Sequence, residues 1–376
     1  MEQVCGAGQE GMSVTQRNRR ESKTYWARTE ISPQSSSQSD CRPRKDRTKE
    51  RAIQARRFWF VQKKLGWPGG IEFIAASLAI AVIFHPGLAN AQSLEPRAYS
   101  NTPVGMNFLM LGYAYQEGDV LLDPSAPLKD VSAEIHSPVL AYVRSLDVWG
   151  KSGKVDIIVP YAWLSASGKV GGEARDRKVS GFADPAVRFS VNLYGAPALS
   201  FEEFKSYRQD TIVGVSLQVT APLGQYDSDK LVNIGTNRWS VKPEVGISQA
   251  LGRWTFEFAA AAIFFAENDE FLGSKTREQD PIYSFQGHLI YNFPRGIWAA
   301  LNATYYTGGR TSIDGVKGDD LQRNWRFGTT LTVPLNIHNS LKFYFSSGAL
   351  TRIGGDFDLV GVAWLYRWGG GLLGSR

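Results

Sequence analysis

Beyond residue 100 the chain divides into about twelve segments in which apolar and polar residues alternate, the pattern of β-strands with one apolar and one polar face. The connections between them alternate as well, short then long. Antiparallel neighbours with short turns at one end and long loops at the other describe a closed barrel between two compartments. Its apolar side faces outward and its polar side lines a lumen, as in outer-membrane barrels. The segments are 104–116, 134–147, 154–165, 184–194, 210–221, 239–250, 253–266, 282–293, 296–307, 323–334, 340–350 and 357–368.

Parity assigns the faces. In 210–221, Val213, Val215, Leu217 and Val219 oppose Ser216, Gln218 and Thr220; in 184–194, Val187, Phe189, Val191 and Leu193 oppose Arg188, Ser190 and Asn192. In 323–334, Trp325, Phe327, Leu331 and Val333 oppose Arg326, Gly328, Thr330 and Thr332; in 340–350, Leu341, Phe343 and Phe345 oppose Lys342, Tyr344 and Ser346. A charge facing lipid near the midplane costs about 2–4 kcal/mol, and these apolar sides carry none. A soluble sandwich or lipocalin-like barrel also alternates, but buries its apolar side. The tryptophans weigh against it. Trp149, Trp163, Trp239, Trp254, Trp298, Trp325, Trp364 and Trp368 fall mostly near strand ends, where membrane interfaces place them.

The fold expected is all-β: a transmembrane antiparallel up-and-down β-barrel of about twelve strands, an even number, with a polar lumen. Both chain ends then lie on the short-turn, periplasmic side. The long connection at 195–209 breaks the alternation and is expected to hold a small helix. Loops 117–132 and 267–281 are the candidates for folding inward.

The first 91 residues stand apart. Residues 71–84 form an apolar run containing one charge, Glu72, with Lys63 and Lys64 before it and Pro86, Gly87 and Ala89-Asn90-Ala91 after it. That order is a secretory signal, cleaved between Ala91 and Gln92. The run is short of the roughly twenty residues a spanning helix needs. Residues 1–60 are rich in Ser and Arg and lack periodicity, so they are a disordered leader, or precede a true start near Val61. The expected organisation is 1–60 leader, 61–91 signal peptide and 92–376 barrel.

Removing the leader changes the charge. The whole chain carries +6; residues 1–91 hold 15 Lys+Arg against 8 Asp+Glu, leaving 27 against 28 in the rest. The basic balance belongs to the leader and gives no support to a nucleic-acid partner. Cys5 and Cys41 also lie there, so the barrel has no disulfide, thiolate metal site or cysteine nucleophile.

The inward set is Arg144, Asp156, Arg188, Lys242, Glu244, Glu257, His288, Arg326 and Lys342. Such residues either brace the wall as ion pairs or set the field a permeating solute feels. The excess of basic over acidic groups favours anionic or polar solutes. A barrel phospholipase would need Ser and His together with an orienting Asn or Asp, facing lipid. His288 shares a strand face with Ser284 and Gln286, but that face is inward; His136 lies near a strand start and His338 in a tight turn. Three scattered histidines and no cysteine provide no metal-ligand spacing. Asp314, Asp319 and Asp320 share a loop better read as solvated, or bridged by cations to lipopolysaccharide. No catalytic, cofactor or metal site is expected.

The stretch VSGFADPAVRFSVNLYGAPAL (179–199), with Gly181, Phe182 and Asp184 in place and Ala183 where Gly is usual, resembles a family of outer-membrane proteins. That family is named for a putative MetA pathway of phenol degradation. VTAPLGQYDSDKLVNIGTNRWSVKPEVGISQALG (219–252), LNATYYTGGRTSIDG (301–315) and FDLVGVAWLYRW (357–368) resemble it too. The resemblance spans most of 100–370 and implies an outer-membrane transporter, with aromatic compounds as solutes. It brings no catalytic or binding residues. Val362, Trp364, Tyr366 and Trp368 read as the terminal signal that barrel-assembly machinery recognises.

The function expected is a passive outer-membrane channel for small, including aromatic, solutes. The alternatives are a plugged structural or surface-loop barrel and, third, a barrel lipase or protease. The expected partners are outer-membrane lipid and lipopolysaccharide, the assembly machinery and a small-molecule solute, with no nucleic acid.

Overall fold

A computed structural model describes residues 95–119, 128–170, 173–354 and 356–372. The leader, the signal segment and the cleavage site lie outside the described residues. Among those described, no helix is long and apolar enough to cross a membrane; strands do the crossing.

The wall comprises β1 (Met106–Asp119), β2 (Leu128–Val148), β3 (Lys151–Val170), β4 (Glu173–Phe182), β5 (Ala186–Tyr194), β6 (Thr211–Thr220), β7 (Ser240–Leu251) and β8 (Trp254–Phe265). It continues through β11 (Ile282–Asn292), β12 (Trp298–Gly308), β15 (Gln322–Pro334), β16 (Asn339–Leu350) and β17 (Asp356–Gly369). All neighbours are antiparallel; β1 pairs with both β17 and β2, and β2 with β3, which closes the barrel. β4 and β5 lie end to end along β3. They are two halves of one strand broken at Ala183-Asp184-Pro185, so the wall has the expected even number of staves, twelve.

The parity reading holds. Val187, Phe189, Leu193, Leu217, Phe327, Leu331 and Phe343 are exposed on the outside, as are Val245, Ile247, Phe256, Phe258 and Phe285. The polar residues between them, such as Asn192, Ser248, Thr304 and Thr330, are buried inside. Aromatic clusters mark both rims. Trp364, Tyr366 and Trp368 stack in series at the short-turn end, with Tyr142 beside Trp368. Tyr161, Trp163 and Phe182 meet near the other end, as do Tyr305 and Trp325.

Three features depart from the expected layout. Residues 173–182, read as loop, extend the hairpin with β3. Loop 267–281 is itself a hairpin, β9 (Asn268–Phe271) and β10 (Lys275–Gln279). With β13 (Thr311–Ile313) and β14 (Val316–Lys317) it forms a second, four-stranded sheet at the long-loop end. The segment that packs on the lumen lining is instead 222–239, whose Val232 and Ile234 contact it; residues 120–127 of the other candidate loop are outside the described set. The expected small helix is present as α1 (Phe201–Ser206). Ser200 caps it by accepting from the Glu203 backbone, and the Glu203 carboxylate accepts in return from the Ser200 N–H, a capping box.

Candidate functional site: the barrel lumen

The short-turn half of the lumen is filled by the segment that precedes β1. Val104 donates to the Leu199 carbonyl and Asn101 Nδ2 to the Pro197 carbonyl, which anchors 101–104 across the barrel floor. Residues 95–100 then run inside. The Tyr99 ring lies in a slot made by Gly214 and Gly246, which face each other across β6 and β7. A Cβ at Gly214 would come within 2.3 Å of that ring and one at Gly246 within 2.1 Å, so the slot exists because both residues lack a side chain. The Tyr99 hydroxyl donates to Glu244 at 2.9 Å, and Asn192 Nδ2 donates to the Tyr99 carbonyl at 3.0 Å.

Charge holds the rest of the segment. Arg188 Nη1 donates to the Glu95 carboxylate at 2.6 Å while Arg188 Nε donates to Asp156, its cross-strand neighbour, at 2.5 Å. Lys342 and Lys242 add attraction, and together with Arg188 they hold the Glu95 carboxyl down at about 2. The Arg97 backbone N–H donates to Glu257 at 2.6 Å, its guanidinium donates to Asn292 at 2.8 Å and lies 5.2 Å from the Trp298 ring centroid. Lys154 Nζ donates to the carbonyls of Ala98 and Ser100. A pocket between segment and wall is lined by Glu95, Tyr99, Arg188, Lys242, Glu244 and His288, among others.

Eight of the nine residues expected to line the lumen are in it. Asp156 and Glu257 are buried there, and Lys242 pairs with the half-buried Glu244 at 2.8 Å. His288 Nδ1 meets Asn302 Oδ1 at 2.9 Å, and Asn302 Nδ2 donates to Thr330, a chain across three strands. Arg188, Arg326 and Lys342 lie on inward faces. Arg144 is the correction. It is exposed and pairs with Asn107 on the outer face of β2, the side that carries Leu140 and Tyr142. Near the rim both faces of a strand are wet, so hydropathy no longer reports which side is inward. Trp298 errs the other way: it belongs to the inner set of β12 and covers Arg97. The three loop aspartates are each engaged: Asp320 by Thr311, Asp319 by Arg352 and Asp314 by Thr276.

Sequence reasoning missed Glu95, Arg97 and Tyr99, because a six-residue segment has no periodicity to read. It also missed an apolar lining in the long-loop half. Ala114, Ala133, Ile135, Ala162, Leu164, Ala166, Phe357 and Leu359 form one buried cluster there, with Val179, Val232, Ile234 and Tyr344 against it.

The motifs quoted above converge beside this lining. At the β4–β5 break the Asp184 carboxylate accepts from Gly224 N at 2.9 Å, Thr236 N at 2.8 Å and Thr236 Oγ1 at 2.7 Å. Gly224 and Gly235 touch there: a Cβ on Gly224 would lie 2.7 Å from Asp184, and one on Gly235 2.8 Å from Gly224. Gln225 N donates to the Phe182 carbonyl. Loop 222–239 is thereby fastened where the wall strand breaks.

Residues 115–356 match the family described as the putative MetA-pathway of phenol degradation. The COG4313 outer membrane channel from Pseudomonas putida F1 aligns with a TM-score of 0.63 at 21% identity, over 73% of this chain and 100% of that one. The beta domain of the Bordetella autotransporter BrkA gives 0.41 at 11% identity, over 70% and 100%. The CymD monoaromatic hydrocarbon channel gives 0.40 at 8%, over 78% and 96%. No curated protein sequence matches the chain.

Proposed function

Because the chain belongs to the family described as the putative MetA-pathway of phenol degradation, we propose that it is an outer-membrane channel passing small, including aromatic, solutes passively. The observation that carries this reading is the closed twelve-strand wall with apolar residues outside and polar residues within. The likeness of its fold to the COG4313 outer membrane channel agrees with it. The obstruction in the lumen is a short tethered segment held by side-chain contacts, not a strand of the wall.

That segment gives the plugged-barrel reading a specific observation of its own. Bilayer conductance of the protein and of a variant lacking 92–100 separates the two. A resting conductance that rises in the variant supports a gated channel. Silence in the natural chain with conductance only after deletion supports a plugged barrel, and silence in both overturns transport.

No catalytic role is assigned. His288 and Ser284 share an inward face, away from lipid. Cleavage between Ala91 and Gln92 is part of the same proposal: it leaves a free end three residues before Glu95, suited to a segment that lies inside the lumen. N-terminal sequencing of the exported protein tests it, and retention of Glu72 overturns it. Lipid, lipopolysaccharide and the assembly machinery are the proposed partners of the outer wall and of the terminal aromatic strand.

A further inference from the structure

Arg326 differs from Arg188 and Lys242, the inward bases that form ion pairs. Arg188 has two carboxylate partners and Lys242 has one. Arg326 is only 1% exposed. Its Nη2 donates to the Ser346 hydroxyl at 2.7 Å, and its Nε and Nη1 make no hydrogen bond. Asp358 is close enough to feel its charge but does not pair with it. Thr304, its register neighbour on β12, is also buried, and its Oγ1 has no partner either. Three unused donor atoms therefore share one place on the lumen wall. Buried polar groups are ordinarily matched, and a buried cation most of all.

The surroundings define what would match them. The guanidinium carbon of Arg326 lies over the Phe357 ring, and its unused N–H groups are the donors that would meet an anion. Phe357 also belongs to the apolar lining with Leu359, Ile135 and Leu164, against which Tyr344 packs. The four alanines of that lining keep the wall low, and Val232 and Ile234 cover it. A charged donor set at the edge of an aromatic and aliphatic wall suits one molecule with both characters.

We propose that Arg326, with Thr304, forms a lumen subsite for small aromatic monocarboxylates, the carboxylate on the unused donors and the ring against Phe357, Tyr344 and Leu359. This rests on the channel reading for its purpose but not for its chemistry. The solute's carboxylate would supply the direct hydrogen bonds that Asp358, near but not in contact, does not make, while the paired Arg188 stays committed to the N-terminal segment.

The test is calorimetric titration of the detergent-solubilised full barrel with benzoate, acetate and benzyl alcohol. Benzoate should bind saturably, and acetate and benzyl alcohol at least about tenfold more weakly, since each lacks one half of the recognition. Arg326→Gln should weaken benzoate by about tenfold or more and leave benzyl alcohol unchanged. Thr304→Val, which keeps volume and loses the hydroxyl, should weaken benzoate by a smaller factor. Arg326→Lys should fall between Arg326→Gln and the natural chain. Should Arg326→Gln lose the heat-resistant gel migration of a folded barrel, the other two variants carry the test. Equal benzoate affinity across folded variants, equal binding of benzoate and benzyl alcohol, or no saturation by benzoate each overturns the subsite. Liposome swelling with arabinose reads the pore separately. Sugar flux without benzoate saturation overturns the subsite and leaves the channel. Benzoate saturation without sugar flux supports the subsite and overturns passive transport.

Discussion

Asp184 ties a long loop to a broken strand with one carboxylate. Its three accepted hydrogen bonds come from residues forty and fifty-two positions away, and the two glycines beside it admit no Cβ. Replacing Asp184 by Ala leaves the N–H groups of Gly224 and Thr236 without acceptors. The expected loss is about 3 kcal/mol, since hydrogen bonds to charged groups are worth roughly 1.5–3 kcal/mol each and are not additive. A lowered urea midpoint for loss of heat-resistant migration reads it; an unchanged midpoint would sink the assignment. Gly246 makes a sharper case for the lumen. Gly246→Val drives a side chain into the Tyr99 ring, and the ring must leave its slot. Conductance should rise with the wall intact, because Gly246 lies on the inner face of a strand whose outer residues, Val245 and Ile247, are untouched.

At the scale of elements, Trp368 ends β17 in a stack with Tyr366, and Tyr142 of β2 flanks it. Trp368→Ala removes the last ring of the terminal strand and should slow assembly, read as a smaller heat-resistant fraction soon after induction. Unchanged assembly would show that Trp364 and Tyr366 suffice. The elements that sequence located are those with one face in lipid. Strand 282–293 was expected and 282–292 is found; 323–334 was expected and 322–334 is found. There the environment differs between faces and writes a period of two. Residues 173–182, EARDRKVSGF, escaped because the part of a hairpin beyond the membrane is wet on both sides. The lining of Ile135, Leu164 and Phe357 escaped for the opposite reason: β2, β3 and β17 carry apolar residues on both faces, so parity cannot separate lipid from lumen. Arg188 and Asp156 were legible as inward, but their third partner, Glu95, lies on a segment with neither period nor spacing. Only the two glycines on the polar faces of 210–221 and 239–250 hinted that something must fit against them.

Across the whole molecule, the lumen is divided along its axis. The short-turn half holds paired charges around the N-terminal segment; the other half holds an apolar lining and an arginine without an ion-pair contact. Arg188 and Arg326 therefore have different consequences, although both are basic and inward. Arg188→Ala removes the partner of Glu95 and loosens the segment, so it should raise conductance. Arg326→Ala removes a charge that no carboxylate pairs with directly, and it leaves the N-terminal segment untouched, so it should reduce anion preference in reversal-potential measurements with little change in conductance. The segment also responds to pH, with a sign set by Glu95. Its carboxyl is held at about 2, below its ordinary value of 4.5, chiefly by Arg188 and then by Lys342 and Lys242. The attraction is fully present above the ordinary value and is lost as pH falls through the depressed one. Conductance should thus stay low at neutral pH and rise reversibly between about pH 4.5 and pH 2 as Glu95 takes up its proton. In Glu95→Gln the neutral form is permanent, so the channel should be open at pH 7 and lose that acid step. An acid step that persists in Glu95→Gln would assign the response to another group and remove Glu95 as the latch.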